Sequence, residues 1–406
     1  MELTPKISRR NFYSLLWHAG FLALSRPFMD VDTVVPSLLV DAGGTAVQVG
    51  ILTAIMVGGS SFTQLFFAPF ISNYHYKRKF LLIGINARII ALLGMAMMLL
   101  YSTLLSHSLI IWFIFLLISL FSFSGAFANV SYTDILGKSI LTESRKPFFS
   151  IRQVINGVIL FGAALTAKYI LSLTGYPNNY GYLFLIAFFA LLMASLGFWN
   201  LKEVIPSKLS VRTPGHFLKL IREEWKQNPQ LKYFLGFINT AGISISLLPF
   251  IILFGKQMYD TGAGSTGWFL LIKIGGSVLT GFLLFFLAGR YKYSILMYGS
   301  AFLAFASPLF LLIPFHVPSL IVVFFIGGVI YTAYNVSMNG VLLEISGTSN
   351  RALYTGIAGA GNILPALFPL GGGWVIKHMG FEVFFGLFML VVLSSFFFIF
   401  KMKFRH

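Results

Sequence analysis

The chain has 406 residues, of which 57% are hydrophobic and only 10% are charged, and its mean hydropathy is +0.84. A water-soluble domain of this size does not carry so few charged side chains, so the composition excludes a soluble globular protein and predicts a bilayer as solvent. The net charge of +17 does not indicate nucleic-acid binding, because the basic residues lie in short clusters between apolar runs.

The apolar runs predict twelve membrane-spanning helices, because about 20 apolar residues are needed to cross the hydrocarbon core. The predicted fold class is therefore an all-α polytopic membrane protein. Six spans fall in residues 1–200 and six in 233–406, and residues 201–232 form a polar linker between them. The predicted spans are 12–39, 47–72, 80–104, 108–132, 148–171, 181–200, 233–254, 265–288, 293–314, 318–341, 353–376 and 380–400.

Within the linker, apolar residues recur at helical spacing over residues 216–225, with charged residues on the opposite side. This pattern is typical of an amphipathic helix at the membrane surface, although an ordinary solvated connector would also satisfy it.

The charge distribution predicts that both termini are cytoplasmic. With the N-terminus inside, 22 of the 29 Lys and Arg residues fall on the cytoplasmic side, and only Lys168, Lys256 and Lys377 fall outside. The expected location is a bacterial cytoplasmic (inner) membrane.

Two short sequence segments, which we call echoes, recur in the second half and indicate that the halves are repeats. Asn129–Ser131 recurs as Asn335–Ser337 at a separation of 206 residues, and Tyr76-Lys77 recurs as Tyr291-Lys292 at a separation of 215. Each echo occupies a corresponding place in the predicted topology, which supports duplicated halves.

Twelve spans in two halves, with a basic loop after span two and a matching one after span eight, resemble the major facilitator superfamily over the whole chain. Lys77-Arg78-Lys79 is similar to the basic end of that family's Gly-x-Leu-Ala-Asp-Arg-x-Gly-Arg-Lys loop, but Asn73 replaces its acidic residue. The resemblance implies two bundles that rock about a midplane site lined by spans one, four, seven and ten.

Asn73 puts the family's usual acidic gate in doubt. Four charged residues occupy positions like those of the family's loops after spans four and ten, and the resemblance makes them candidates for an inner gate. Solvated loop charges are the alternative. These candidates are Asp134, Arg145, Glu344 and Arg351.

Ionisable residues inside spans are the sharpest functional signal, because each costs about 3 kcal/mol or more without a partner or water. Arg26 and Asp30 are four residues apart in span one, so a continuous helix places them on one face. We expect Arg26 to bind an anionic group and Asp30 to carry a proton, the alternative being a structural ion pair. Asp32 would point about 200° away from Asp30, towards a role near the outer surface.

In the second half, Lys273 lies roughly ten residues into span eight. We expect it to face Asp30 across the two halves. Arg152 is a candidate for solute binding or for snorkelling to the phosphates, whereas Arg88 is expected to snorkel. Uncharged side chains that either bind a solute or join helices are Gln64, Asn239, Tyr331, Asn335 and Asn362.

The sequence contains no Walker-type loop, no His-Glu-x-x-His and no cysteine, so neither an enzyme, a cofactor nor a metal site is predicted. The predicted function is secondary active transport of a small anionic or zwitterionic organic solute, coupled to protons or another ion, by a monomer in the lipid bilayer. The alternatives are a lipid or amphiphile flippase, a drug exporter of the same fold, or a non-transporting membrane receptor or scaffold.

Overall fold

The computed structural model describes residues 3–102, 105–207, 214–287, 290–311, 317–346, 354, 357–359 and 361–402. These residues form helices and short connections, and no strand occurs among them. By contacts the chain divides into two compact units, each containing two segments. Unit 1 comprises Met1–Asp30 and Phe62–His216, and unit 2 comprises Val31–Ser61 and Phe217–His406.

Unit 1 is built from long apolar helices whose ends carry local capping groups. Thr4 begins the first helix by accepting a hydrogen bond from the backbone N–H of Ile7, and Ser106 does the same for Leu109 in a later helix. The helices of this unit are α1 (Pro5–Ser25), the second part of α3 (Ala46–Ser72), α4 (Arg78–Leu100), α5 (His107–Ser139), α6 (Thr142–Leu173) and α7 (Asn178–Asn200).

Helices α4, α5 and α7 form the tightest packing of unit 1, with α1 lying against α6 and α7. Gly84 of α4 makes one close approach possible, because a Cβ there would lie 2.8 Å from both the Ala128 Cβ and the Ser124 carbonyl oxygen. Small residues at such contacts are typical of helices packed in a bilayer.

Unit 2 holds the remaining helices. They are α2 (Val34–Asp41), the first part of α3, α8 (Pro214–Gln227), α9 (Pro229–Thr240), α10 (Leu247–Tyr259), α11 (Ala263–Phe286), α12 (Tyr293–Ala306), α13 (Val317–Ser346) and α14 (Ile363–Lys401). Helices α11 and α13 pack closely together, α12 packs on α13, and α14 packs on α9.

The first span of each half is broken by a 3-10 segment. One runs over Arg26–Met29 and the other over Ala241–Ser246, and they begin 215 residues apart. This is the separation at which Tyr76-Lys77 recurs as Tyr291-Lys292. The shared break therefore adds a structural correspondence to the echoes in the sequence.

The described residues contain nine helical segments that are long and apolar enough to cross a membrane. One of these, Ile357–Lys401, changes direction at Gly380, whose φ of 88° suits glycine, and thus supplies two spans. The broken α1–α2 segment and α3 complete the set. The prediction of an all-α, twelve-span integral membrane protein is confirmed, while the division at residues 200 and 233 stays a prediction.

Candidate functional site

The first span does not continue as an α-helix past Ser25. Residues Arg26–Met29 form a 3-10 turn, Asp30 has an extended ψ of 125°, and α2 begins only at Val34. Pro27 contributes to this break because it has no N–H to donate to a carbonyl of the preceding turn. The expectation that Arg26 and Asp30 share one face of a continuous helix is therefore wrong.

Beyond the break, Asp32 lies beside the lysine of the eighth span. Lys273 Nζ lies 2.5 Å from Asp32 Oδ2, and the two side chains are only 8% and 9% exposed. Both residues belong to unit 2. Asp32 was not predicted as a partner of Lys273, because counting 3.6 residues per turn across a non-helical segment misplaces every residue beyond it. That Lys273 faces Asp30 stays a prediction.

The surroundings hold this ion pair in place. Gly328 of α13 lies against the backbone of Lys273, where a Cβ would collide with the Lys273 carbonyl oxygen. On the other side, α2 is tied to α11 by the 2.9 Å contact between the hydroxyls of Ser37 and Thr266. The pair is thus set between two packed elements, as the low exposure of both side chains requires.

A second group of charges lies inside unit 1. Arg88 is about ten residues into α4, and its guanidinium carbon lies 4.0 Å from the centre of the Phe121 ring in α5. A Cβ at Gly125 would lie 3.3 Å from that same carbon, so glycine leaves space for the guanidinium. Arg88 points into the helix packing, and the expectation that it snorkels to the membrane surface is wrong.

Two further arginines lie near Arg88. Arg26 is exposed on the 3-10 turn and within electrostatic range of Arg88. Arg152 of α6 is 6.0 Å from the Tyr132 ring centre, and both Arg152 and Arg88 act electrostatically on His18. His18 itself is buried, stacks on Phe198 and lies 3.1 Å from the Ala194 carbonyl oxygen. We call Arg26, Arg88 and Arg152 the arginine cluster.

The predicted amide and phenol groups are used in different ways. Asn239 donates to the carbonyls of Leu235 and Gly361 at 2.8 and 2.7 Å and accepts from the N–H of Leu364 at 2.8 Å, so it joins α9 to the start of α14. Asn335 donates to the Tyr331 carbonyl at 2.7 Å within its own helix.

Asn362 and the phenol of Tyr331 are the more open candidates. Asn362 Oδ1 is buried and has no hydrogen-bond partner in the described part of the chain, while the Tyr331 side chain is exposed. The side chain of Gln64 lies outside the described residues. Among the predicted amides, Asn362 is therefore the one whose acceptor has no partner in the described part of the chain.

At the basic end of unit 1, Asp134 belongs to a compact ionic network. Its carboxylate lies 3.0 Å from Lys77 and 2.9 Å from Lys138, and the latter also pairs with Glu203 at 2.7 Å. Glu203 accepts hydrogen bonds from the backbone N–H groups of Lys77 and Arg78, which begin α4. The carboxylate of Glu203, a linker residue, thus caps this helix. The one indication of this in the sequence was that Asn73 replaces the acidic residue expected in the loop.

Arg145 and Glu344, two other predicted gate residues, take part in none of the described ion pairs. Arg145 donates to the carbonyls of Ile140 and Gly137 at 3.3 and 2.6 Å, which satisfies the end of α5. Glu344 is half-buried near the end of α13 and takes part in none of the described ion pairs, and Arg351 lies outside the described residues. Their role as a gate stays a prediction.

Several solved structures share this arrangement of helices. The nucleoside transporter NupG aligns at a TM-score of 0.68 with 13% identity, over 97% of this chain and 100% of that one. The D-xylose-proton symporter aligns at 0.66 with 13% identity, over 96% and 97%. A POT family transporter in complex with 5-aminolevulinic acid aligns at 0.68 with 11% identity, over 96% and 95%.

The chain has the major facilitator fold. The solved structures that share it are transporters rather than enzymes. No family model and no curated protein matches the sequence. At 11–13% identity, the major facilitator fold is shared but the side chains of the site are not inherited with it. The arginine cluster and the Asp32–Lys273 pair must therefore be interpreted from their own chemistry.

Proposed function

We propose that the chain is a proton-coupled secondary transporter that moves a small anionic or zwitterionic organic solute by alternating access. The observation that carries this proposal is the arginine cluster. Arg88 and Arg152 lie about ten residues inside α4 and α6, and Arg26 lies on the 3-10 turn, whose C-cap Asp30 is the one carboxylate of these elements away from a helix end. The major facilitator fold supplies the context of transport.

An excess of positive charge inside a membrane protein favours an anionic ligand. Each buried cation costs several kcal/mol unless a counter-charge or water compensates it. Nε of Arg88 is buried without a hydrogen-bond partner in the described part of the chain, so this donor can serve a ligand. A guanidinium binds a carboxylate or phosphate through two parallel hydrogen bonds, so these are the groups we expect in the solute.

The Asp32–Lys273 pair supports coupling to protons. Protonation of Asp32 would remove the negative charge 2.5 Å from Lys273, so this buried pair can respond to a proton. Asp30, half-buried at the end of the 3-10 turn, is the second candidate for the proton carrier. The excess of basic residues in the loops supports cytoplasmic termini in a bacterial inner membrane.

The solute class is tested first by thermal denaturation of the detergent-purified protein with anionic, zwitterionic, cationic and neutral metabolites. A ligand at about 100 times its dissociation constant stabilises by roughly 2.7 kcal/mol. We expect anionic or zwitterionic hits that are lost in Arg26→Ala and kept in Arg222→Met, a control on the exposed side of α8. Stabilisation by lipids alone would favour a flippase, and hits confined to cationic drugs would favour an exporter.

Coupling is tested with a matched pair of variants in proteoliposomes that carry a pH gradient. Asp32→Asn should abolish accumulation driven by the gradient while leaving exchange of labelled for unlabelled solute intact, because exchange needs no net proton movement. Asp30→Asn is the comparison. If only Asp30→Asn uncouples transport, Asp30 is the carrier and Asp32 is structural; if neither does, proton coupling through span one is wrong.

A further inference from the structure

A cavity of about 670 Å³ opens at the basic end of unit 1, away from the arginine cluster. It lies where α4 begins at Arg78 and α7 ends at Asn200. Its lining combines four aromatic rings with two cations, namely Tyr74, Tyr76, Phe80, Trp199, Arg78 and Lys79.

The aromatic side of the cavity is open to its surroundings. Tyr76 and Trp199 are each 53% exposed, and the rings of Tyr74 and Phe80 pack with their centres 4.7 Å apart. Tyrosine and tryptophan at the ends of spans are typical of the level of the lipid headgroups. Phe80, in the first turn of α4, and Leu82, just beyond it, continue the lining and offer an apolar surface next to the polar one.

The charged side of the cavity keeps an excess of positive charge. Glu203 is the acidic residue of the lining, but its carboxylate is occupied by Lys138 at 2.7 Å and by the first backbone N–H groups of α4. Arg78 donates to the carbonyls of Phe198 and Trp199 at the end of α7. Lys79 is exposed and takes part in none of the described ion pairs, so its ammonium is available to an anion.

We propose that this cavity binds the headgroup of an anionic phospholipid. Lys79 and Arg78 attract the phosphate, the phenol of Tyr76 and the indole of Trp199 lie at headgroup level, and Phe80 and Leu82 contact the first part of the acyl chain. A soluble anion would use the cations but would gain nothing from the exposed aromatic and apolar lining. Basic pockets between spans on the cytoplasmic side are suited to acidic lipids, since each nearby Lys or Arg strengthens the attraction.

Brominated lipids test the site directly, because bromine on the acyl chain quenches nearby tryptophan. The full-length protein is placed in phosphatidylcholine nanodiscs that contain a minor fraction of brominated phosphatidylglycerol or, separately, of brominated phosphatidylcholine. The contribution of Trp199 is the difference between the wild type and Trp199→Phe. We expect brominated phosphatidylglycerol to quench this contribution at lower mole fractions than brominated phosphatidylcholine.

Charge variants then identify the contact. Lys79→Ala should require about fivefold more phosphatidylglycerol for the same quenching, the effect of one basic residue near the surface. Lys292→Ala removes an exposed lysine from the matching loop of the second half and should leave the titration unchanged.

Three results would overturn the proposal: equal quenching by the two lipids, a Lys79→Ala titration that matches the wild type, or displacement of the quenching by soluble glycerol 3-phosphate. The last would identify a site for a soluble anion. If Trp199→Phe does not fold, the same comparison is made between wild type and Lys79→Ala from the rise in melting temperature that phosphatidylglycerol produces over phosphatidylcholine. Failure of the transport proposal would not affect this site, because neither measurement involves solute.

Discussion

In unit 2, the lysine placed far from the ends of its span, Lys273, lies 2.5 Å from the carboxylate of Asp32. In unit 1, by contrast, Arg26, Arg88 and Arg152 lie within spans that contain a single carboxylate away from their ends, Asp30. The first arrangement is a compensated ion pair, and the second is a cluster of like charges. Both groups of charges lie within the membrane-spanning part of the chain, on closely packed helices.

The difference separates two tasks that a coupled transporter must perform. A compensated pair is stable without ligand and responds to a proton, because protonation of the carboxylate removes its charge. A cluster of like charges is poorly stable until an anion arrives, so it favours solute binding. The comparison predicts that charge removal in unit 2 reduces stability, whereas charge removal in unit 1 reduces binding.

The largest expected effect is on the compensated pair. Lys273→Ala leaves Asp32 buried without its cation, which costs about 3–5 kcal/mol when a buried pair is broken. We therefore expect the melting temperature of the ligand-free protein in detergent to fall strongly. The double variant Asp32→Asn/Lys273→Met should recover most of this loss, because it leaves no unpaired charge. A double variant as unstable as Lys273→Ala would show that the residues do not act as a pair.

Next in size is the effect of Arg88→Met on the affinity for the solute found by thermal denaturation. A hydrogen bond to a charged group contributes about 1.5–3 kcal/mol, which corresponds to a loss of roughly tenfold to a hundredfold in affinity. The melting temperature without ligand should not fall, because methionine fills the space beside Phe121 and removes an unsatisfied Nε. A variant that is less stable but binds the solute normally would make Arg88 a structural residue and break the comparison.

The fold could be predicted from the sequence because span length, loop charge and internal repeats depend only on local composition. The interaction partners of the charged side chains in the candidate site could not be predicted in this way. Asp32 was misplaced by two residues of non-helical backbone before it, and Pro27 was the one available sign of that break. Arg88 was misjudged because its depth in α4 does not say which way its side chain points, and its contacts with Phe121 and Gly125 of α5 show that it points inward. Glu203 was missed because its contacts with α4 are distant in the sequence.

A smaller effect is expected in the ionic network at the basic end of unit 1, where two lysines, Lys77 and Lys138, balance the carboxylates of Asp134 and Glu203. Glu203→Gln should weaken the capping of α4 and the contact with Lys138, at about 1–2 kcal/mol. We expect faster tryptic cleavage in the linker, since Glu203 ties the linker to α4. Glu223→Gln, an exposed change on α8, is the control. Equal cleavage rates in the two variants would mean that the network does not hold the linker.

The smallest effect is expected for the more exposed of the two ion pairs in unit 2. Lys256 pairs with Asp41 at 2.6 Å, but the Asp41 side chain is 23% exposed and lies at the end of α2, next to the connection with α3. Water can hydrate this carboxylate once the lysine is removed, so Lys256→Ala should cost about 1 kcal/mol, close to the value of a partly exposed pair. Its melting temperature should therefore lie near that of the wild type and well above that of Lys273→Ala. An equal fall in melting temperature for the two lysine variants would contradict this prediction. Burial would then not decide the cost of removing the lysine, and Asp32 would be stabilised by its other contacts rather than by Lys273.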